Sequence, residues 1–256
     1  MSTAKTAVQR VRWEQKEFWR NPAAAAFTFA FPLMFLIIFT AINGGSTIPV
    51  KGGKVKFAQY YVPAIVAFGL ISACYTNLAF SLCIRREQGL LKRMRGTPLP
   101  STLYLGGLVG SVIVVSLVLS VLTIALGLAF YGVTFPGRYL GLVLTIAIAA
   151  FCFSALGVAV STFVPNEDAA PAIINFILFP LLFISGTFGE IRDSSALGKI
   201  AAVFPVRHLN KQMIRVFNPH IGGSGMHAAD VAVLLAWGVV GLAVAVRRFR
   251  WEPRQG

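Results

Sequence analysis

Between residues 103 and 164 the chain carries a single charged side chain, Arg138. The apolar runs on either side of it, 103–131 and 139–164, are each longer than the ~20 residues a helix needs to cross ~30 Å of hydrocarbon. Comparable runs occupy 23–42, 61–84, 169–185 and 226–246, the last with Asp230 in its first turns. Charged residues make up 12% of the chain, about half the share in a soluble domain. So little charge cannot cover so much hydrocarbon in water, and so apolar a chain is not disordered. No run alternates with the period of two that a barrel strand requires. Backbone in lipid must satisfy its own hydrogen bonds, so the runs are expected to be helices. The expected fold is all-α and polytopic, with six transmembrane helices in one domain over 23–247, preceded by 1–22 and followed by a basic tail, 248–256.

The net charge is +14. The basic residues cluster at the ends of the apolar runs, which suits lipid headgroups and topology signals rather than nucleic acid. With both termini cytoplasmic, fourteen Lys and Arg fall inside and nine outside, the bias the positive-inside rule requires. Residues 1–22 lack a cleavable signal pattern and read as an amphipathic helix lying on the cytoplasmic leaflet. Ala4, Ala7, Val8, Val11, Phe18 and Trp19 share its apolar face, Lys5, Arg12, Lys16 and Arg20 flank it, and Trp13 breaks the pattern. Cys74, Cys83 and Cys152 all lie in apolar runs. Cys74 and Cys83, nine residues apart, stand about 13 Å apart along one helix, too far to bridge. All three read as packing residues, with no metal site.

The first five spans contain no Asp, Glu, Lys, Arg or His. Ion-coupled carriers need buried ionisable groups, and membrane proteases need buried catalytic ones, so both classes are disfavoured. No GxxxxGK[ST] phosphate loop is present. Work against a gradient would draw on another protein, and the chain is not expected to be an enzyme or to hold a cofactor itself.

Residues 85–98 form a short basic stretch closed by Gly96-Thr97-Pro98. Glu87, Gly89, Leu91, Thr97, Pro98 and Leu99 give the pattern E-x-G-x-L-x-x-x-x-x-T-P-L after the second of the six spans. This resembles the type 2 ABC exporter permeases, the group that includes the daunorubicin-resistance permeases, and the resemblance covers nearly the whole chain. It implies that 85–98 forms a coupling helix docking onto a cytoplasmic ATPase, with Arg86, Glu87, Gly89, Leu91, Lys92 and Arg93 in that role. The N-terminal helix would be the connecting helix packed beside it. It further implies two ATPase subunits that bind ATP and Mg, a second permease (a copy or a paralogue), and a bacterial plasma-membrane location. Spans two and five would face one another across the dimer axis. The region 186–225 would hold outer-side re-entrant or surface helices. Ser194-Ser195 can cap a first short helix that Pro205 ends, and a second is expected over 208–217. The family's Asn-Pro at the end of the first helix is Phe204-Pro205 here.

The substrate path is expected along Tyr75 and Asn77 of span two and Asn175, Phe176 and Phe179 of span five. Polar groups in hydrocarbon need partners, so the same residues also fit plain helix–helix hydrogen bonding. Apolar and aromatic walls with a few polar groups suit a drug-like amphipathic cargo, hence multidrug export. A lipid, peptide, polysaccharide precursor or sodium fits the same architecture. Gly106 with Gly110, and Gly157 with Ser161, read as small-residue packing pairs. The topology is checked by labelling intact cells. Lys54→Cys and Lys199→Cys should react from outside and Arg93→Cys only after lysis; a Lys54→Cys protein that reacts only after lysis reverses the orientation.

Overall fold

The computed structural model describes residues 3–96, 99–135, 137–189, 191, 194–249 and 251. Thr97 and Pro98 of the motif lie outside the described residues, as do Arg192, Arg250 and Arg254. Helix α1 (Thr3–Arg20) leads into α2 (Pro22–Asn43), which opens on a proline at a position where no backbone donor is needed and continues through Pro32. A hairpin follows, β1 (Thr47–Val50) paired antiparallel with β2 (Gly53–Lys56). Its tight turn at Lys51-Gly52 uses the positive φ of Gly52, +97°. The next helix is continuous in three parts: α3 (Phe57–Ile71), a π-helical segment (Ser72–Asn77) and α4 (Leu78–Glu87). Then come α5 (Leu90–Arg95), α6 (Ser101–Phe130), α7 (Tyr139–Ser161), α8 (Ala170–Ile184), α9 (Ala196–Ala201), α10 (Pro205–Phe217) and α11 (Ala228–Arg248).

Among the described residues, five stretches are long and apolar enough to cross a membrane: Ala25–Asn43, Phe57–Glu87, Ser101–Phe130, Tyr139–Ser161 and Ala228–Arg248. The fifth expected span, α8, is apolar but has 15 residues, about 22 Å of helix. Hydrogen bonds nevertheless fix where its flanks lie. Arg86, at one end of the long second helix, holds the carbonyl of Val164, and Tyr60, near the other end, holds that of Gly186 at 2.9 Å. The chain between them therefore runs from one end of the bundle to the other. One end gathers α1, α5 and the Tyr104–Trp251 ring pair. The opposite end gathers the hairpin and α10: Gln59 donates to the carbonyls of Thr134 and Phe217, and Asn218 to that of Lys51.

Every residue of α3 is buried. An all-round apolar helix belongs at the centre of a bundle, and here α2, α6, α7 and α10 enclose it. Its contact with α6 is interlocked, because a Cβ on Gly69 would meet the Leu119 side chain at 2.7 Å and one on Gly127 would meet Val62 at 2.8 Å. The π-helical segment is wider than an α turn, and α7 approaches it through Gly157, where a Cβ would stand 2.8 Å from the Tyr75 carbonyl oxygen. Gly157 thus packs as its spacing suggests. Gly110 instead receives Val11 of α1, and Gly106 faces open space.

The N-terminal helix keeps Ala7, Val11 and Phe18 of its expected apolar face part-buried and turns Glu14 to the same side. Val8 and Trp19 are 55% and 51% exposed, whereas Glu14 is 4% exposed. The reason is an ion pair that the apolar pattern does not register: Glu14 turns inward to meet Arg85. Ser195 does cap α9, accepting from the Gly198 amide at 3.0 Å. Pro205 opens α10 rather than merely ending α9, so the second short helix starts three residues before the expected 208. The Trp237 indole donates to the Val203 carbonyl at 2.8 Å. Trp237 lies nine residues into α11, so the α9–α10 turn reaches about 13 Å down that helix.

Candidate functional site

The long second helix ends in two neighbouring arginines that point into the protein. Arg85 reaches the Glu14 carboxylate with both terminal nitrogens, at 3.0 and 2.6 Å, and also meets Glu17 at 2.9 Å and the Tyr104 hydroxyl at 3.1 Å. Arg10, one turn before Glu14, pairs with the same carboxylate. The two-nitrogen engagement of one carboxylate is the strong, directional form of an ion pair. Arg86 donates to the carbonyls of Ser161 at 2.9 Å and Val164 at 2.5 Å, placing a cation on the negative end of the α7 dipole. Arg86 was expected to face an ATPase; its side chain is buried and directed at α7.

The expected coupling stretch is two helices, not one. Gly89 takes φ +67°, the left-handed conformation that ends a helix and that glycine adopts without strain. Beyond it Leu91 is wholly buried against Leu78, Leu82, Tyr104 and Leu108. Lys92 and Arg93 are exposed. Glu87 is half-buried, and its Oε2 is shielded with no hydrogen-bond partner among the described residues. The six residues are therefore sorted into one tie to α7, one hinge, one anchor, two free cations and an acid at the break.

A cavity of about 650 Å³ lies beside this end and runs along the second helix. Asn77, Asn175 and Phe179 line it together with Thr28, Phe31 and Phe68. Asn77 donates to the Thr28 hydroxyl at 3.2 Å, tying the second helix to α2. Thr76 also lines it, with a buried hydroxyl that has no partner among the described residues. Two expected path residues stand elsewhere: Tyr75 is buried in the bundle, and Phe176 is 79% exposed on α8. The cavity's other end is lined by Glu17, Arg85, Gln88 and Leu90, so α1 and α5 form part of its wall. The resemblance puts span two at a subunit axis. The α3 part of that span is enclosed by its own chain, and the large apolar side chains left exposed are Ile84 on α4 and Phe176, Ile177, Phe179 and Phe183 on α8.

The Glu14–Arg85 pair, the missed centrepiece of this end, has one signal in the sequence. Glu14 and Glu17 are the only acidic residues before Glu87, and a helix that merely floats on anionic headgroups has no use for them. Arg85→Gln leaves the buried Glu14 carboxylate with Arg10 as its remaining cationic partner and should cost about 2 kcal/mol of stability. Arg85→Gln with Glu14→Gln should recover most of that loss. Thermal unfolding of the four proteins in one detergent gives the coupling, and strictly additive losses would show that the pair does not hold α1 to the bundle.

With this geometry in place, comparison with known proteins is informative. Residues 8–217 match the ABC-2 type transporter family. Over 156 residues, 60% of this chain and 59% of the relative, the chain is 26% identical to the inner membrane transport permease YadH of Escherichia coli K12, and equally to that of Shigella flexneri. The chain thus spans about three-fifths of the length of the relatives it matches. A bundle of apolar helices with an amphipathic N-terminal helix docked at one end, matched over most of its length by one family, belongs to the ABC-2 type transporter family as a multi-pass membrane protein.

Proposed function

We propose that the chain is the permease subunit of an ATP-driven exporter in the bacterial plasma membrane, moving a hydrophobic or amphipathic drug-like molecule outward. A separate cytoplasmic ATPase, two copies per complex, binds ATP and Mg and supplies the work. A second permease completes the conduit, with Phe176 and Phe183 of α8 among the residues left free to meet it. The termini and α5 face the cytoplasm, the hairpin and α10 the exterior. One observation carries this reading: Gln88 and Leu90, on either side of the Gly89 hinge, line the same cavity as Asn77 and Asn175. A push on α5 therefore deforms the cavity wall directly.

Each coupling residue then has a distinct task. Lys92 and Arg93 meet the ATPase, Leu91 fixes α5 to the bundle, Gly89 permits the break, and Arg86 passes displacement to α7. Glu87 lies at the break with one carboxylate oxygen available to a donor. The cavity's phenylalanines suit apolar ring systems, and Asn77, Thr76 and Asn175 supply hydrogen bonds that discriminate among ligands.

Gly89→Pro cannot adopt a positive φ. It should leave the protein inserted while abolishing transport and vanadate-sensitive ATP turnover in the co-purified complex. Normal transport by that variant at equal expression would refute the coupling role. Asn77→Leu and Asn175→Leu remove polar groups without hindering insertion and should change the profile over a substrate panel, because sites that hydrogen-bond a ligand select by those bonds. A profile unchanged in both, normalised to assembled complex, would take the two residues out of the path and leave them as helix ties.

A further inference from the structure

At the hairpin end, His208 of α10 makes two ring hydrogen bonds. Its Nδ1 lies 2.6 Å from a carboxylate oxygen of Asp230, in the first turn of α11, and its Nε2 lies 2.8 Å from the carbonyl oxygen of Ala202, at the end of α9. Both partners are acceptors. A neutral imidazole has one N–H and satisfies only one of them; the imidazolium satisfies both. From this arrangement we infer that His208 is a proton-operated latch, whose charged form ties the end of α9 to the head of α11 and whose neutral form releases one of the two.

The surroundings of the ring agree. Asp230 is buried. Besides His208, it pairs with Arg215 of α10 and, at 3.2 Å, with Nδ1 of His227 just ahead of α11. The hydrogen bond to Asp230 raises the His208 pKa above its ordinary value, burial opposes this, the Ala202 carbonyl and the Asp230 charge add to the rise, and Lys211 works against it. A raised imidazole value means the tie is fully present below the ordinary ~6.5 and is lost as pH climbs through the raised value. The latch is therefore shut in acid and loosens in alkali. Arg215 keeps a bond to Asp230 in either state, so α10 stays seated and the element set free is α9. What then holds the α9–α10 turn is the Trp237–Val203 bond and the stacked Phe204–Trp237 rings. This device concerns the hairpin end alone and stands independently of the cargo and of the ATPase.

The test uses the full chain in lipid nanodiscs, spin-labelled at Lys199→Cys on α9 and Leu235→Cys on α11. The three native cysteines are buried and leave the label to the introduced pair. Pulsed electron–electron distance measurements are taken from about pH 5.5 to 9.5, the range spanning an imidazole raised by a carboxylate. A single short separation is expected in acid. The released population should grow by up to about tenfold per pH unit above the ordinary histidine value and then level off. Asp230→Asn should move the midpoint toward acid, His227→Gln should leave it in place, and His208→Gln should abolish the pH dependence. A pH-independent separation in the parent chain overturns the latch without recourse to any variant. The same pH dependence in His208→Gln, or a midpoint that follows His227 instead, also overturns it.

Discussion

Arg85 and Arg86 sit side by side at the end of the most buried helix of the protein, and the arrangement of the α5 end follows from their needs. Neither guanidinium can be left without acceptors in a region of low dielectric. Arg85 draws in Glu14, which fixes the rotation of α1 and lays it against the start of α6, where Gly107 and Gly110 leave room for Arg10 and Val11. Arg86 finds the carbonyls that α7 cannot satisfy within itself and so fixes where the fourth span stops. Two adjacent residues thereby orient one helix on the surface and one inside the bundle.

The opposite end is built on the same principle with one neutral amide and one cation. Gln59, in the first turn of α3, donates to both the Thr134 and Phe217 carbonyls and accepts from the Thr134 amide. Arg138 gathers the carbonyls of Arg215, Val216 and Asn218 at the end of α10. The one charge between residues 103 and 164 is thus the cap of another helix. Long spans joined by short connections would otherwise expose unpaired carbonyls close to lipid, and these side chains close them.

The spans were legible because hydrocarbon imposes length and apolarity on every crossing segment. Five of the six expected runs fall within a few residues of helices long enough to cross, the second of them longer than expected, and the fifth falls on the 15-residue α8. The family too was legible, from Glu87, Gly89 and Leu91 in their place after the second span. What the sequence hid was anything decided by a partner distant in the chain. On α1, periodicity groups Val8 and Trp19 with Ala7, Val11 and Phe18 and has no means of knowing that Arg85 holds Glu14 on the inward side. Arg86 takes a docking role by resemblance because it lies in the coupling stretch, while its acceptors lie over seventy residues away. The hairpin went unseen, although Lys51-Gly52-Gly53-Lys54 between two short β-prone pieces is a turn signal. Tyr75 and Asn77 read alike in sequence, yet residues two apart on a helix face nearly opposite sides, and one points into the bundle while the other lines the cavity.

The π-helical segment also bears on how a bundle tied so firmly at both ends can change shape. The hairpin end is locked by Gln59, Tyr60 and Arg138, and the α5 end by Arg85 and Arg86, so rigid rotation of the second helix would break several buried bonds at once. The π-helical turn lies between these anchors, beside the cavity, and carries a Tyr75 hydroxyl and a Thr76 hydroxyl without partners among the described residues. A π-helical turn holds one residue more than the α-helical ladder needs, and this makes it a natural place for a helix to rewind. Rewinding there would turn α4 relative to α3 with the hairpin end's bonds intact, and the Arg85 and Arg86 bonds would carry α1 and the end of α7 along with α4. The close approach of Gly157 to the Tyr75 carbonyl limits that movement on one side, and the cavity leaves it free on the other. The local geometry of the second helix thus reconciles fixed ends with a deformable middle.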